Sequence, residues 1–293
     1  MNNGVAEDIR HITDDSEYYP PLLREIAKAP DSLYVRGNVS VLAHERLFAV
    51  VGSRKASPGG RRALRHVVQP VVAAGVPLIS GLAFGIDSLA HKLCLDHNTP
   101  TVAVLGGGVD DASMYPRRHI SLAHQIIESG GAVISEYTPG TPALPHHFLA
   151  RNRIIAGLAI ATLVVQAADR SGSLSTARLA LEANRDVMAI PGDVTDPLAI
   201  GTNRLIQQGA EPALSGADLL AYFQLAPGAA VAAIDLSPNQ QLVAQHLSTT
   251  PHHIDELADK TGLSAAALAT ELTQLELKGV TENVGGAKYV RTT

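Results

Sequence analysis

From Leu47 onward, short apolar, β-branched runs alternate with longer segments whose apolar residues recur every three or four positions. The short runs are Leu47–Val51, Pro77–Ser80, Thr101–Leu105, Ala132–Ser135, Ala161–Gln166 and Val187–Ile190. Segments such as Gly60–Ala74, Asp87–His97 and Leu174–Ala183 separate them and read as helices. Strands that are apolar almost throughout must be covered on both faces, which predicts an α/β domain with a mostly parallel sheet between helices. Right-handed crossovers make that sheet doubly wound and Rossmann-like, over about residues 47–223.

The flanking segments differ. Residues 1–46 carry a short helical stretch at Pro21–Lys28 and an extended Ser32–Val35 closed by Gly37, a lead-in expected to pack on the core. Residues 224–238, with Pro227, Gly228 and Pro238, read as a linker. Residues 239–293 hold helical segments at Gln240–Leu247, His253–Thr261 and Ser264–Lys278, then two short β-like pieces around Gly285-Gly286. Ser264 is placed to cap the third helix and Gly279 to stop it. The order is that of a small winged-helix-like domain.

Composition narrows the function. The net charge of −5 argues against a protein that coats nucleic acid, so any such site must be a local basic concentration. With 4% aromatic residues and no Trp, no aromatic-rich stacking surface is expected. Cys94 is the only cysteine, which excludes a disulfide within the chain and a cysteine zinc cluster. A polar, acidic start (Glu7, Asp8, Asp14, Asp15) and the lack of any apolar run of roughly 18 residues predict a soluble, cytoplasmic protein.

In a doubly wound sheet, ligands collect where strand ends feed helix N-termini. Three loops there stand out. Gly52-Ser53-Arg54-Lys55 leads into Gly59-Gly60, and five cations but no carboxylate lie between Gly52 and His66. Small residues and helix N–H groups suit an anion; a plain turn before a solvated basic helix fits the spacing equally well. The second loop, Ser80 to Asp87, holds Gly81 and Gly85; Asp87 is expected to cap the helix it opens, and His91 to be a packed histidine. The third site joins Phe148, Arg151, Asn152 and Arg153 to Ser171-Gly172-Ser173 and Thr176, a phosphate-cradle pattern. From Pro139 to Leu181 four arginines face one carboxylate, Asp169, and the guanidinium fork suits phosphate.

Catalytic patterns are poor. No Gly-x-Gly-x-x-Gly opens the first helix, so no dinucleotide cofactor is expected. Gly106-Gly107-Gly108 lacks the lysine of a phosphate-binding NTPase loop. His146-His147 and His252-His253 lack companion ligands for a metal. No base and nucleophile pair up, so no enzyme is expected.

Several stretches, in order, resemble the DprA/Smf DNA-processing family. They are Ala49–Arg54, SGLAFGID at 80–87 with Ala90-His91, Val104–Gly107 with Tyr115-Pro116, and Ile134-Ser135-Glu136. FLARNRIIAGLA at 148–159, SGSLSTA at 171–177, Ala189–Gly192 and GTNRLIQQGA at 201–210 continue the match, which covers about 20–223. The resemblance implies a non-enzymatic Rossmann-like core that binds single-stranded DNA. It also implies a homodimer that protects incoming DNA and loads the recombinase RecA in natural transformation. It assigns the DNA groove to Gly52, Ser53, Arg54, Gly81, Gly85, Phe148, Arg151, Asn152, Arg153, Ser171, Gly172, Ser173 and Thr176, with Phe148 contacting a base.

Some features depart from the family pattern. About 20 residues before the lead-in leave no room for the helical domain many members carry there. Gln166 stands where an acid is common, and Ser175 where an apolar residue is usual. A phosphoribohydrolase of the lysine-decarboxylase-like group is the competing enzyme reading, but Pro191-Gly192 continues as Asp193-Val194, without its glycine-rich signature. A protein-interaction adaptor is a third. In the tail, residues 237–293 carry six carboxylates against four cations, and the third helix offers only Gln274 and Lys278 to DNA. That charge opposes entry into a duplex groove and predicts a protein-contacting or regulatory module.

Overall fold

A computed structural model describes residues 8–226, 236–248, 250–278 and 280–291. Glu7, most of the linker with Pro227 and Gly228, and the helix stop at Gly279 lie outside the described residues. The chain divides into two units, residues 1–229 and 230–293.

The first unit opens with β1 (Ile9–Thr13), the one-turn α1 (Pro21–Arg24) and β2 (Ser32–Gly37). Strand and helix then alternate: β3 (Phe48–Val51), α2 (Pro58–Ala73), β4 (Leu78–Ser80), α3 (Ile86–Asp96), β5 (Thr101–Val104), α4 (Ile120–Glu128) and β6 (Ala132–Ser135). They continue as α5 (Pro145–Leu158), β7 (Ala161–Val164), α6 (Gly172–Glu182), β8 (Asp186–Ala189), α7 (Ile200–Gln207), β9 (Glu211–Pro212) and α8 (Gly216–Tyr222).

All nine strands form one sheet in the order β1-β2-β6-β5-β4-β3-β7-β8-β9. From β6 to β9 every pairing is parallel, whereas β2 runs antiparallel to β6 and β1 antiparallel to β2. The lead-in therefore contributes two strands to the sheet itself, with Val35 opposite Ile134. Gly37 closes that junction: at its φ of +101° a Cβ would lie 2.4 Å from the Gly131 carbonyl oxygen.

Alternation along each strand divides the core into two layers. Phe48 and Val50 pack with Leu64, Val68 and Val71 of α2, Ile86 and Ala90 of α3, and Leu219 of α8. Ala49 and Val51 point the other way, into a cluster with Ile154 and Ile155 of α5 and Ala177 and Ala180 of α6. From β3 the chain winds outward through β4, β5 and β6, then returns through α5 to place β7 on the other side of β3. The order reverses between β3 and β7, and a doubly wound sheet opens a crevice at that point.

The second unit contains α9 (Pro238–His246), β10 (His252–His253), α10 (Ile254–Thr261), α11 (Ala265–Leu277), β11 (Thr281–Gly285) and β12 (Lys288–Arg291). Ser237 and Gln240 form a capping box on α9, and Ser264 caps α11 by accepting from the Ala267 N–H. Val243, Leu257, Leu268, Leu272 and Leu275 form its own core. Gln240 is buried, donates to Gln274 Oε1 at 2.6 Å and accepts from Lys278 Nζ at 2.7 Å. Gln274 of α11 and Lys278 at its end thus bond to the buried Gln240 while remaining exposed at the surface. Among the described residues no helix is long and apolar enough to cross a membrane.

Phe48 lies at the centre of the sheet, fully buried and edge-on to Phe223 with ring centroids 5.2 Å apart. Phe48→Ala is expected to destabilise the first unit by about 3–5 kcal/mol. Urea unfolding followed by circular dichroism checks this.

Candidate nucleic-acid interface

The turn after β3 is tied to β7 two residues beyond the strands, where the Ser53 N–H donates to the Gln166 carbonyl at 2.8 Å. The Gln166 side chain then grips the start of α2, accepting from the Ser57 N–H and donating to Ser57 Oγ. Ser57 in turn caps α2 by accepting from the Gly60 N–H. A carboxylate at 166 has no hydrogen to give Ser57 Oγ, so the amide is suited to this dual role.

The loop after β4 packs against the same turn. Gly85 has φ +77°, and a Cβ there would sit 2.2 Å from the Ser53 carbonyl oxygen. Gly85, not Asp87, holds the N-cap position of α3. Asp87 instead turns inward, and its carboxylate accepts from the Gly81 N–H. Burial pushes its pKa up, while the nearby Arg151 charge opposes that shift. Leu82, buried at φ +56°, presents its carbonyl to His119 Nδ1 at 2.7 Å.

Arg151 arrives from α5 and is only 3% exposed. Its Nη1 donates to the carbonyls of Gly81 and Val104, joining α5 to the ends of β4 and β5. Gly81 must lack a side chain, since a Cβ would meet that Nη1 at 2.1 Å. Burial lowers Arg151 to about 10, so it remains a cation at neutral pH. Its Nε has no protein partner.

These loops frame a cavity of about 290 Å³ at the β3/β7 reversal. Of the residues anticipated above, Gly52, Ser53, Arg54, Phe148, Arg151, Asn152, Ser171, Gly172, Ser173 and Thr176 line it, and Asp87 joins them. Ser171 caps α6, its Oγ lies 2.7 Å from Ser173 Oγ, and Asn152 Nδ2 donates to the Gly172 carbonyl. The positive end of α6 therefore faces the cavity beside two hydroxyls, a setting that favours an anion. Further positive charge comes from Arg54, which is exposed, without an ion-pair partner among the described residues, and 5.6 Å from the Phe148 ring centre.

Three anticipated residues lie elsewhere. Gly81 and Gly85 are outside the lining and serve loop packing. Arg153 also lies outside it, held bidentately by Glu136 at 2.7 and 2.8 Å, so its charge is already matched. Counting cations in the sequence overstated this site: Arg178 pairs with Glu182, leaving Arg170 exposed and unpaired among the described residues.

Sequence reasoning also missed residues. Arg117 and Arg118 are exposed and free of carboxylate partners among the described residues. Three rings that are exposed or half-buried also pair with a neighbour. Tyr115 lies 5.7 Å from Phe148, Phe84 4.8 Å from His119, and Tyr137 stacks on His147 at 4.0 Å. Each of these pairs draws on the connections that follow β4, β5 and β6, where a strand-end search would have found them.

Residues 10–224 match the sequence profile described as DNA recombination-mediator protein A, and residues 227–287 the profile described as DprA winged helix domain. The chain belongs to the DprA/Smf family. Protein Smf of Escherichia coli (strain K12) is 41% identical, over 96% of this chain and 76% of that protein. DprA of Streptococcus pneumoniae is 44% identical over 73% of each chain. The solved structure of DprA from that species superposes with a TM-score of 0.67, covering 73% of this chain and 74% of that one, at 41% identity. DNA processing protein A of Helicobacter pylori, studied for its single-stranded DNA binding mode, shares the fold at a TM-score of 0.66 and 24% identity, covering 74% of this chain and 97% of that one.

DprA/Smf proteins are recombination mediators rather than enzymes, which sets the phosphoribohydrolase reading aside. In this member the Pro191-Gly192 turn has a structural partner. The Asn203 side chain accepts from the Gly192 N–H and donates to its carbonyl.

His91 lies fully buried on α3, with Nδ1 2.8 Å from Thr101 Oγ1. Thr101 donates to the Leu78 carbonyl, so it accepts from His91, whose neutral form carries the proton on Nδ1. Burial, His119 and Arg151 lower its pKa from 6.5 to about 3. The unfolded chain therefore takes up this proton first as pH falls, and stability drops between about 6.5 and 3. Between pH 7 and 5, wild type is expected to lose about 2 kcal/mol more than His91→Gln in urea unfolding.

Proposed function

We propose that the protein binds single-stranded DNA in the cavity at the β3/β7 reversal and acts there as a mediator of recombination. One observation carries this reading: Arg54, exposed and without a carboxylate partner among the described residues, lines the same cavity as Phe148 and the serine-capped N-terminus of α6. The guanidinium and the helix end both suit a phosphate, while the ring offers a face to a base. The anion sites come from a few loops, which reconciles binding with a net charge of −5. The family adds the expectation of a cytoplasmic homodimer that protects incoming DNA and loads RecA during transformation. A dimer would set two cavities on one strand and raise affinity by making the second contact intramolecular.

The phosphate term sets the test. With three to five phosphates neutralised, log affinity falls against log salt with a slope of about −2 to −3.5. In fluorescence anisotropy with a labelled oligonucleotide, Arg54→Ala is expected to weaken binding severalfold with little sequence dependence. Arg153→Ala, which removes a charge already matched by Glu136, should do less. An Arg54→Ala protein with wild-type affinity contradicts the assignment.

The division of labour follows from charge. The core of about 47–223 with its lead-in carries the DNA affinity, and residues 239–293 contact a protein partner. Gln274 and Lys278 are exposed but engaged by Gln240, and α11 also exposes Leu277. Deleting residues 227–293 should leave single-strand affinity within about threefold, about 0.7 kcal/mol. A tenfold loss, or tight duplex binding by the isolated tail, contradicts this.

A further inference from the structure

The few aromatic rings of this chain are unevenly spent. Phe48 and Phe223 are buried in the core, whereas Phe84 is 40% and Tyr115 53% exposed. Neither exposed ring lines the cavity, yet both stand at its border. Tyr115 is 5.7 Å from Phe148, the ring beside Arg54. Phe84 lies between Ala83, which lines the cavity, and Gly85, whose α-carbon abuts the backbone of Ser53 and Arg54. Both rings are braced: Phe84 sits edge-on to His119, which is itself hydrogen-bonded to the Leu82 carbonyl, and Tyr115 is tilted at 56° against Phe148. A braced, half-exposed ring loses little freedom when a flat ligand lies on it. Large apolar rings left in solvent beside a polar site mark contact surfaces.

We propose that Tyr115 and Phe84 are base-stacking platforms that carry a single strand past the cavity, one on the Phe148 side and one on the β4 loop. This rests on the reading of the cavity as a single-strand site. Arg54 and the α6 terminus would hold phosphate, and the rings would take the bases that the bound backbone leaves unstacked. Every base has a π-face, so such platforms are indifferent to sequence. They also select single strands, because the bases of a duplex have no free face to offer.

The experiment uses the full chain, a labelled thymidine strand of about 15 nucleotides, and an abasic strand of equal length. Tyr115→Ala and Phe84→Ala are each expected to weaken the thymidine strand at least about fivefold, the low end of base–aromatic stacking. Both should leave abasic affinity and the salt slope at wild-type values. Tyr115→Phe and Phe84→Tyr, which keep a ring, should bind as wild type does. Arg54→Ala should weaken both strands alike. Equal losses on the two strands for the ring variants, or no loss on the thymidine strand while Arg54→Ala still weakens it, overturn the stacking role and leave the cavity reading intact. Wild-type affinity of Arg54→Ala for both strands overturns the cavity reading, and the stacking role with it.

Discussion

The site depends on a buried guanidinium. Arg151 is a cation at neutral pH, nearly fully buried, and its hydrogen bonds go to the carbonyls of Gly81 and Val104. A buried charge is tolerable only where dipoles or a counter-charge replace its hydration. Here two strand-end carbonyls and the neighbouring Asp87 charge do so, and α5 is thereby pinned to β4 and β5. The same contact forbids a side chain at 81 and leaves the carboxylate of Asp87 to accept from the Gly81 N–H. Arg151 thus positions the floor of the cavity, and its buried Nε has no hydrogen-bond partner among the described residues.

Around that floor, three loops that begin at different strands are locked to one another by backbone contacts. Ser53 bonds to Gln166, Ile86 bonds to Ser53, and Gly85 fits where no Cβ fits. Rigid loops at a sheet reversal suit a polymer that must be gripped by its backbone, because phosphate contacts need fixed donors more than they need reactive groups. Arg54 and the α6 terminus provide such donors, while the ionisable groups below them are held in buried, hydrogen-bonded states.

The C-terminal unit uses its polar residues differently. Gln240, Gln274 and Lys278 form a partly buried network within the domain. Gln240 is buried and must find partners, and it finds them in Gln274 and Lys278, which stay exposed at the surface. An exposed Leu277 remains at the end of that helix.

How much was legible in the sequence follows from what is local. The alternation of apolar strands and helices, the serine caps and the glycine-bearing loops all act within a few residues, and they indicated the parallel sheet and the three loops that meet at the cavity. The lead-in's strand pairing with β6 was not legible, because an extended run gives no sign of which edge it will join. Charge state was not legible either. Arg54 and Arg153 look alike in the sequence, yet Arg153 meets Glu136, seventeen residues away, and Arg54 meets no carboxylate among the described residues. Asp87 reads as a helix cap until the fold sets Gly85 in that position. Phe84, Tyr115 and Phe148 are isolated letters in an aromatic-poor chain, and only the tertiary structure brings two loops and α5, which bear them, to one cavity and its border. Local propensities act along the chain and are written in it, whereas burial, pairing and the gathering of distant rings are set by where the tertiary structure puts each side chain.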